Sequence, residues 1–185
     1  MKKVLIVYGT RSGTTEDIAQ KIAEIFESKE INMRLINLKE VKEKNIPPLS
    51  DFDGIIVGTG IKINRWTKTV KKFVKRNSSE IQRRNFKFGF YVSCGTASNK
   101  DGVKTAVDKY ILSKLEEQGS KPDIFDAFGP CYDLTETSNL GKMTKAIFKA
   151  SLKEQEGIEN PEEKVYDFRD WDQIQKFTED FASLL

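Results

Sequence analysis

The segment Gly9–Thr15, Gly-Thr-Arg-Ser-Gly-Thr-Thr, is dense in hydroxyl side chains and glycine. It follows the apolar run Val4–Tyr8, which predicts a buried strand, and it precedes apolar residues at helical spacing from Ile18 to Phe26. A strand that turns into a helix through such a loop directs backbone amides and a helix N-terminus at one small volume, which attracts a phosphate. The residues predicted to bind it are Thr10, Arg11, Ser12, Gly13, Thr14 and Thr15.

The spacing within this loop excludes two common nucleotide motifs. Gly9 and Gly13 do not fit G-x-x-x-x-G-K-[ST], because no lysine follows the second glycine, and the dinucleotide pattern G-x-G-x-x-G is absent. The remaining pattern, T-x-S-G-x-T, suits a terminal monophosphate held by short hydroxyls without a metal. The alternative is a hydroxyl-rich helix cap that binds nothing.

Composition limits the chemistry that the side chains can perform alone. The chain has 185 residues and no histidine, which removes Ser-His and Cys-His catalysis and the usual zinc sites. Its two cysteines, Cys94 and Cys131, form no C-x-x-C motif, so we expect free thiols and a cytoplasmic protein. The length favours one domain over residues 1–185. Redox or transfer chemistry would therefore come from a cofactor.

The elements that position the loop alternate between strand and helix along the chain. This alternation predicts a three-layer α/β/α fold with a five-stranded parallel sheet in the order 2-1-3-4-5, and a helical insert after strand five. The ligand is then expected beyond the carboxyl ends of strands one and three. The final helix, at about 168–184, is predicted to bury Trp171, Ile174, Phe177, Phe181 and Leu184.

The phosphate loop resembles that of flavodoxins, which grips the monophosphate of flavin mononucleotide (FMN). The resemblance implies FMN as the cofactor, with the flavin ring between two further loops at the same sheet edge, 58–66 and 93–99. The binding residues that it implies there are Thr59, Gly60, Ile61, Lys62, Ile63, Asn64, Ser93, Cys94, Gly95 and Thr96.

Two later features resemble one branch of that family, the flavodoxin-type, quinone-dependent protoporphyrinogen oxidases. Val57–Ile61 precedes a basic amphipathic helix, and the ending Val165–Asp172 is similar to that branch. An electron carrier is therefore the first hypothesis and such an oxidase the alternative. A receiver-type signalling domain would need paired acidic residues after strand one, where Thr10-Arg11-Ser12 stands. A flavodoxin-fold module without cofactor stays open.

Two charged segments bear on partners. Residues Gly54–Ser79 include no acidic residue but many lysines and arginines, which predicts either a solvated helix face or docking of an acidic redox partner such as ferredoxin or a reductase. No nucleic-acid motif is present, and we expect no nucleic acid. In 140–153, Leu140, Met143, Ile147 and Leu152 alternate with lysines, which predicts a helix packed on the domain or a peripheral membrane contact.

Overall fold

A computed structural model describes the chain from Met1 to Leu185. Five parallel strands form one sheet in the order β2-β1-β3-β4-β5, which confirms the predicted topology. The strands are β1 (Lys3–Gly9), β2 (Asn32–Asn37), β3 (Gly54–Gly60), β4 (Lys87–Ser93) and β5 (Ile124–Phe128). A separate antiparallel pair, β6 (Cys131–Asp133) and β7 (Val165–Asp167), follows the sheet and was not predicted from the sequence.

Helices flank both faces of the sheet. They are α1 (Thr14–Ser28), α2 (Lys68–Arg76), α3 (Ser78–Gln82), α4 (Lys100–Val107), α5 (Ser113–Glu116), α6 (Lys142–Glu156) and α7 (Trp171–Leu184). A π-helical turn over Asp108–Leu112 joins α4 to α5. No helix combines the length and the apolar character that a membrane span requires.

The alternation of side chains along β1 divides the core into two layers. Leu5 and Val7 pack with the α2 side, together with Val70 and other buried residues. Val4 and Ile6 pack with α1 and α7 on the opposite face. A strand that is apolar on both faces is typical of a parallel sheet covered by helices on each side, so β1 holds the phosphate loop on a rigid base.

Strand β3 extends into the segment 58–66 that the sequence predicts to be a loop. It ends at Gly60, because Thr59 and Gly60 pair with Val92 and Ser93 of β4. Thr59 also pairs with Gly9 of β1. The second ring loop is consequently shorter and begins at residue 61.

The predicted apolar stripe of α7 is wrong at both ends. Ile174, Phe177 and Phe181 are buried as expected, but Trp171 and Leu184 are 37% and 39% exposed. Trp171 begins the helix at its solvent side, where the Arg169 guanidinium lies 4.5 Å from its ring centre.

Helix α6 packs on the β6–β7 pair through only part of the predicted stripe, which includes Leu152. Phe148 and Leu152 are buried with Tyr132 and Leu134, and the rings of Phe148 and Tyr132 lie 4.6 Å apart. Met143, which the sequence placed in the stripe, is 79% exposed. Residues four apart lie on the same helix face. Phe148 and Leu152 therefore face the β6–β7 pair together, whereas Met143 lies on a different face.

Candidate functional site

A cavity of about 530 Å³ lies at the carboxyl edge of the sheet, where the loops after β1, β3 and β4 meet. Its volume is in the range of small-molecule sites. The predicted site residues that line it are Arg11, Ser12, Thr14, Thr15, Gly60, Ile61, Lys62, Ile63, Asn64, Ser93, Cys94, Gly95 and Thr96. The three loops that the sequence marked thus enclose one volume.

The loop before α1 presents a set of unpaired donors. The backbone amides of Arg11, Ser12, Thr14 and Thr15 donate to no protein acceptor. Side-chain hydrogen bonds of the loop use Thr10, Arg11 and Thr14, which leaves the hydroxyls of Ser12 and Thr15 free for a ligand. Amides and hydroxyls at a helix N-terminus are the donor set that a phosphate requires, so the residues present fit that group.

Three predicted residues shape the site without lining it. Thr10 accepts a hydrogen bond from the Gly13 amide through Oγ1 at 3.0 Å, which closes the loop. Gly13 itself has φ +96°, a conformation that favours glycine. Thr59 is fully buried, and its Oγ1 accepts from the Thr67 amide at 3.0 Å on the α2 side. The structure does not bring the side chain of Thr59 to the cavity, because its hydroxyl is held in the core by the amide and hydroxyl of Thr67.

Arg11 connects the phosphate loop to the loop after β3. Its Nη1 donates to the Gly60 carbonyl at 2.6 Å, and its Nη2 donates to the Trp66 carbonyl at 2.8 Å. Arg11 forms no ion pair with a carboxylate, and partial burial lowers its pKa. A cation held only by carbonyl groups leaves a positive charge beside the cradle that an anionic ligand can neutralise.

The loop after β3 forms a tight turn at the cavity mouth. The backbone of Lys62 and Arg65 exchanges two hydrogen bonds of 3.1 Å. The two central residues, Ile63 and Asn64, have φ values of +48° and +57°. Ile63 is 81% exposed although it lines the cavity.

Trp66 lies in the core and not at the cavity. Its ring packs 4.9 Å from that of Phe90, and its Nε1 donates to the Tyr110 carbonyl at 2.7 Å. The only tryptophan near the site therefore supports the loop, and none of the cavity walls built from the loops after β3 and β4 carries an aromatic side chain.

The loop after β4 is tightly enclosed. Burial raises the pKa of the Cys94 thiol to about 11, so the thiol is protonated at neutral pH. A Cβ atom at Gly95 would lie 2.0 Å from Gln155 Oε1 and 2.7 Å from the Tyr132 hydroxyl. A larger residue at this position would require the ends of these two side chains to move.

Part of the cavity wall was missed by sequence reasoning. These further lining residues are Tyr110, Pro130, Cys131, Tyr132, Thr144, Ile147, Phe148, Ser151, Glu154 and Gln155. The segment 130–132 directly follows β5, so the rule that parallel strands end at one edge could have found it. Nothing in the sequence of α6 indicates that it faces the cavity.

Ionic contacts fix the β6–β7 pair to the start of α1. The Arg169 guanidinium, with its side chain 9% exposed, pairs with Asp17 at 2.6 Å and with Asp167 at 2.7 Å. Although burial alone would lower it, the hydrogen bonds to Asp167 and Asp17 raise the pKa of Arg169. Arg169 thus offsets the negative charge of Asp17 close to the phosphate cradle.

Comparison with known proteins agrees with this geometry. A family model described as "Flavodoxin domain" matches residues 5–162. The chain belongs to the flavodoxin domain family. Membership implies a flavin cofactor, and flavodoxin-like proteins in general pass electrons to redox partner proteins.

Individual relatives of this flavodoxin-domain protein fall into two groups. It is 23% identical over 184 residues to the protoporphyrinogen IX dehydrogenase (quinone) of Escherichia coli. This alignment covers 98% of this chain and 96% of that one. It is 51% identical over 58 residues to a flavodoxin of Maridesulfovibrio salexigens, covering 31% of this chain and 38% of that one. Oxidised flavodoxin 1 of Bacillus cereus has a similar fold, with a TM-score of 0.58 at 17% identity, covering 100% of this chain and 99% of that one.

Proposed function

We propose that this flavodoxin-domain protein binds FMN and carries electrons, one or two at a time, between redox partners in the cytoplasm. The observation that supports the FMN assignment is the set of unpaired amides and hydroxyls before α1, which opens on the same cavity as the two other loops. That set suits a terminal monophosphate. When bound, FMN would supply the redox chemistry, while the protein controls its binding, potential and access.

The residues proposed to hold FMN divide by the part of the ligand that they reach. Ser12, Thr15 and the amides around Gly13 would bind the phosphate, with Arg11 adding positive charge. The segments Gly60–Asn64 and Ser93–Thr96 would enclose the ring.

A line of free cations leads from the cavity mouth along α2. We define the basic surface as Lys62, Arg65, Lys68, Lys71 and Lys75, all exposed and none paired with a carboxylate. Their neighbours Lys72 and Arg76 instead pair with Glu43. Positive charge around the access point of a redox group favours association with an acidic partner, such as a ferredoxin or a reductase.

The partner proposal is tested by electron transfer at varied ionic strength. The second-order rate between the flavin-loaded protein and an acidic ferredoxin should fall as salt screens the basic surface. Lys71→Glu with Lys75→Glu should slow the reaction at low salt, whereas Lys121→Glu, before β5 at the opposite sheet edge, should not. A transfer rate that changes neither with salt nor with the Lys71→Glu, Lys75→Glu double substitution would contradict docking through this surface.

One observation favours a second function. The α6 residues Thr144, Ile147 and Ser151 form a further wall of the cavity, beyond the three loops. Such a wall could contact an organic substrate bound beside a flavin, as in an oxidase of the protoporphyrinogen type that passes electrons to a quinone. The E. coli relative covers nearly the whole chain.

Under this second function, α6 would also meet a membrane at its periphery. Met143 is 79% exposed, and Lys142 and Lys149 of the same helix are also exposed. Lysines near an anionic leaflet contribute about 1 kcal/mol each. Co-sedimentation with anionic vesicles, compared with neutral ones, tests this contact, and Met143→Glu should abolish it.

Anaerobic turnover separates the two functions. The carrier hypothesis predicts flavin reduction and reoxidation by protein partners, with no oxidation of protoporphyrinogen by a quinone. Multiple turnovers of protoporphyrinogen with a quinone would instead establish the oxidase.

A further inference from the structure

Tyr110 contacts the loop after β3 through two different groups. Its carbonyl oxygen accepts from Trp66 Nε1, and its hydroxyl donates to Asn64 Oδ1, both at 2.7 Å. Tyr110 is buried and lines the cavity. It lies in the π-helical turn Asp108–Leu112, and such turns within helices occur frequently at functional sites.

The turn that Tyr110 contacts is strained. Ile63 and Asn64 both have positive φ, in the left-handed region. Asparagine tolerates this region, but a β-branched residue such as isoleucine rarely adopts it. Strain of this kind persists only where the surroundings impose it. Two residues provide those surroundings. Tyr110 binds the Asn64 side chain on one side, and Arg11 donates to the Trp66 carbonyl on the other.

The isoleucine at this position has no structural use inside the protein. Its side chain is 81% exposed, so core packing does not require it, and glycine or asparagine would suit the turn better. Ile63 does line the cavity. The strained turn therefore presents an apolar side chain to whatever occupies that volume.

We propose that Tyr110 is a positioning residue for flavin binding, which holds the Lys62–Arg65 turn so that Ile63 stands in place before the ligand arrives. The proposal rests on the FMN function given above. A turn ordered in advance need not be ordered on binding, and this raises affinity. Because the turn belongs to the ring side of the cavity, its loss should affect FMN and riboflavin alike.

Tyr110→Phe tests the proposal by removing only the hydroxyl. We expect the dissociation constants of FMN and riboflavin to rise by the same factor, about three- to tenfold, as for loss of one hydrogen bond. In flavin-free protein, hydrogen exchange at the amides of residues 62–66 should become faster. The visible circular dichroism of bound flavin should also change, which a loss of global stability alone would not cause.

Two further variants make the test specific. Asn64→Gly keeps a residue that accepts positive φ but removes the acceptor, so Tyr110→Phe in that background should have no additional effect. Tyr166→Phe is the matched control, because it removes a tyrosine hydroxyl that accepts from the Glu162 amide beside β7. It should leave flavin affinity and exchange at 62–66 unchanged.

The outcomes separate this inference from the function on which it rests. If wild-type protein binds both flavins and Tyr110→Phe has the same affinities and the same hydrogen exchange, only the role of Tyr110 is overturned. Wild-type protein that binds neither flavin would refute the FMN function and the positioning role together. An additive effect of the two substitutions would also overturn the proposal.

Discussion

Thr15 shows how a side chain can be buried and still available. It is 2% exposed, yet its hydroxyl has no hydrogen-bond partner in the protein and lines the cavity. A hydroxyl that binds a phosphate makes a charge-assisted hydrogen bond, which contributes about 1.5–3 kcal/mol.

Thr15→Val should therefore weaken FMN binding selectively. We expect the FMN dissociation constant to rise at least about tenfold, because every 1.4 kcal/mol is a factor of ten, while riboflavin, which lacks the phosphate, is bound as before. Fluorescence titration of both ligands measures the effect. Equal losses for the two flavins would place Thr15 away from the phosphate.

Lys62 and Arg65 bear on the potential of the flavin. Both are exposed, and neither is paired with a carboxylate. Positive charge near the ring stabilises the anionic, fully reduced form. Lys62→Glu with Arg65→Glu should lower the potential of the second reduction step in a redox titration. Lys75→Glu, near the far end of α2, is the control that should change it least. An unchanged potential in the double variant would contradict the placement of the ring.

At the level of elements, the three loops and the helix after β5 were predictable, but the contacts of that helix, α6, were not. The apolar runs of β1, β3 and β4 identify three strands, and their carboxyl ends must share one edge, so the loops could be grouped from the sequence. Contacts of α6 depend on how the long segment after β5 folds back. The strands β6 and β7 have three residues each, too few for an alternating pattern to be read.

The packing of α6 gives a prediction about the cavity wall. Leu152 is fully buried against the β6–β7 pair. Leu152→Ala should cost about 2–5 kcal/mol, and since it lies outside the two main cores, the loss should appear as local opening of α6. Hydrogen exchange should rise in α6 and β6 before it rises in the central sheet. Met143→Ala, at an exposed position, should change neither. If exchange instead rose equally in α6 and in the central sheet, α6 would not open independently of the main cores.

Edge strand β5 carries a carboxyl group whose titration affects stability. Burial raises the pKa of Asp126, whose Oδ1 accepts from the Ala127 amide and from Gln173 Nε2. The folded protein therefore keeps this proton to a higher pH than the unfolded chain, in which the carboxyl has a pKa of about 4. As the pH rises from the unfolded pKa through the folded pKa, Asp126 lowers the free energy of unfolding.

Asp126→Asn removes this titration and keeps an acceptor oxygen. Its stability relative to wild type should increase as pH rises from about 3.5 to 7, measured by urea unfolding. A difference that is constant or that shrinks over this range would show that the carboxyl is not destabilised by burial.

Over the whole molecule, the fold was more predictable than the surface. Alternation of strands and helices leaves few topologies, because parallel crossovers are right-handed. Ile18 and Phe177, both in predicted apolar helical patterns, are buried in the same core layer. Exposure at the ends of elements depends on local neighbours. Trp171 and Met143 lie near the starts of their helices and are exposed, although the sequence predicts them in apolar stripes. The strained turn at Ile63 has no signature in sequence, because its residue types oppose its conformation.

The central claim is that the donors before α1 form a cradle for the phosphate of FMN. Equilibrium titration of the flavin-free protein with FMN and with riboflavin tests it most directly. We expect FMN to bind at micromolar concentration or tighter, and riboflavin to bind at least about tenfold more weakly because it lacks the charged hydrogen bonds. Failure to bind FMN, or equal affinity for the two ligands, would contradict it.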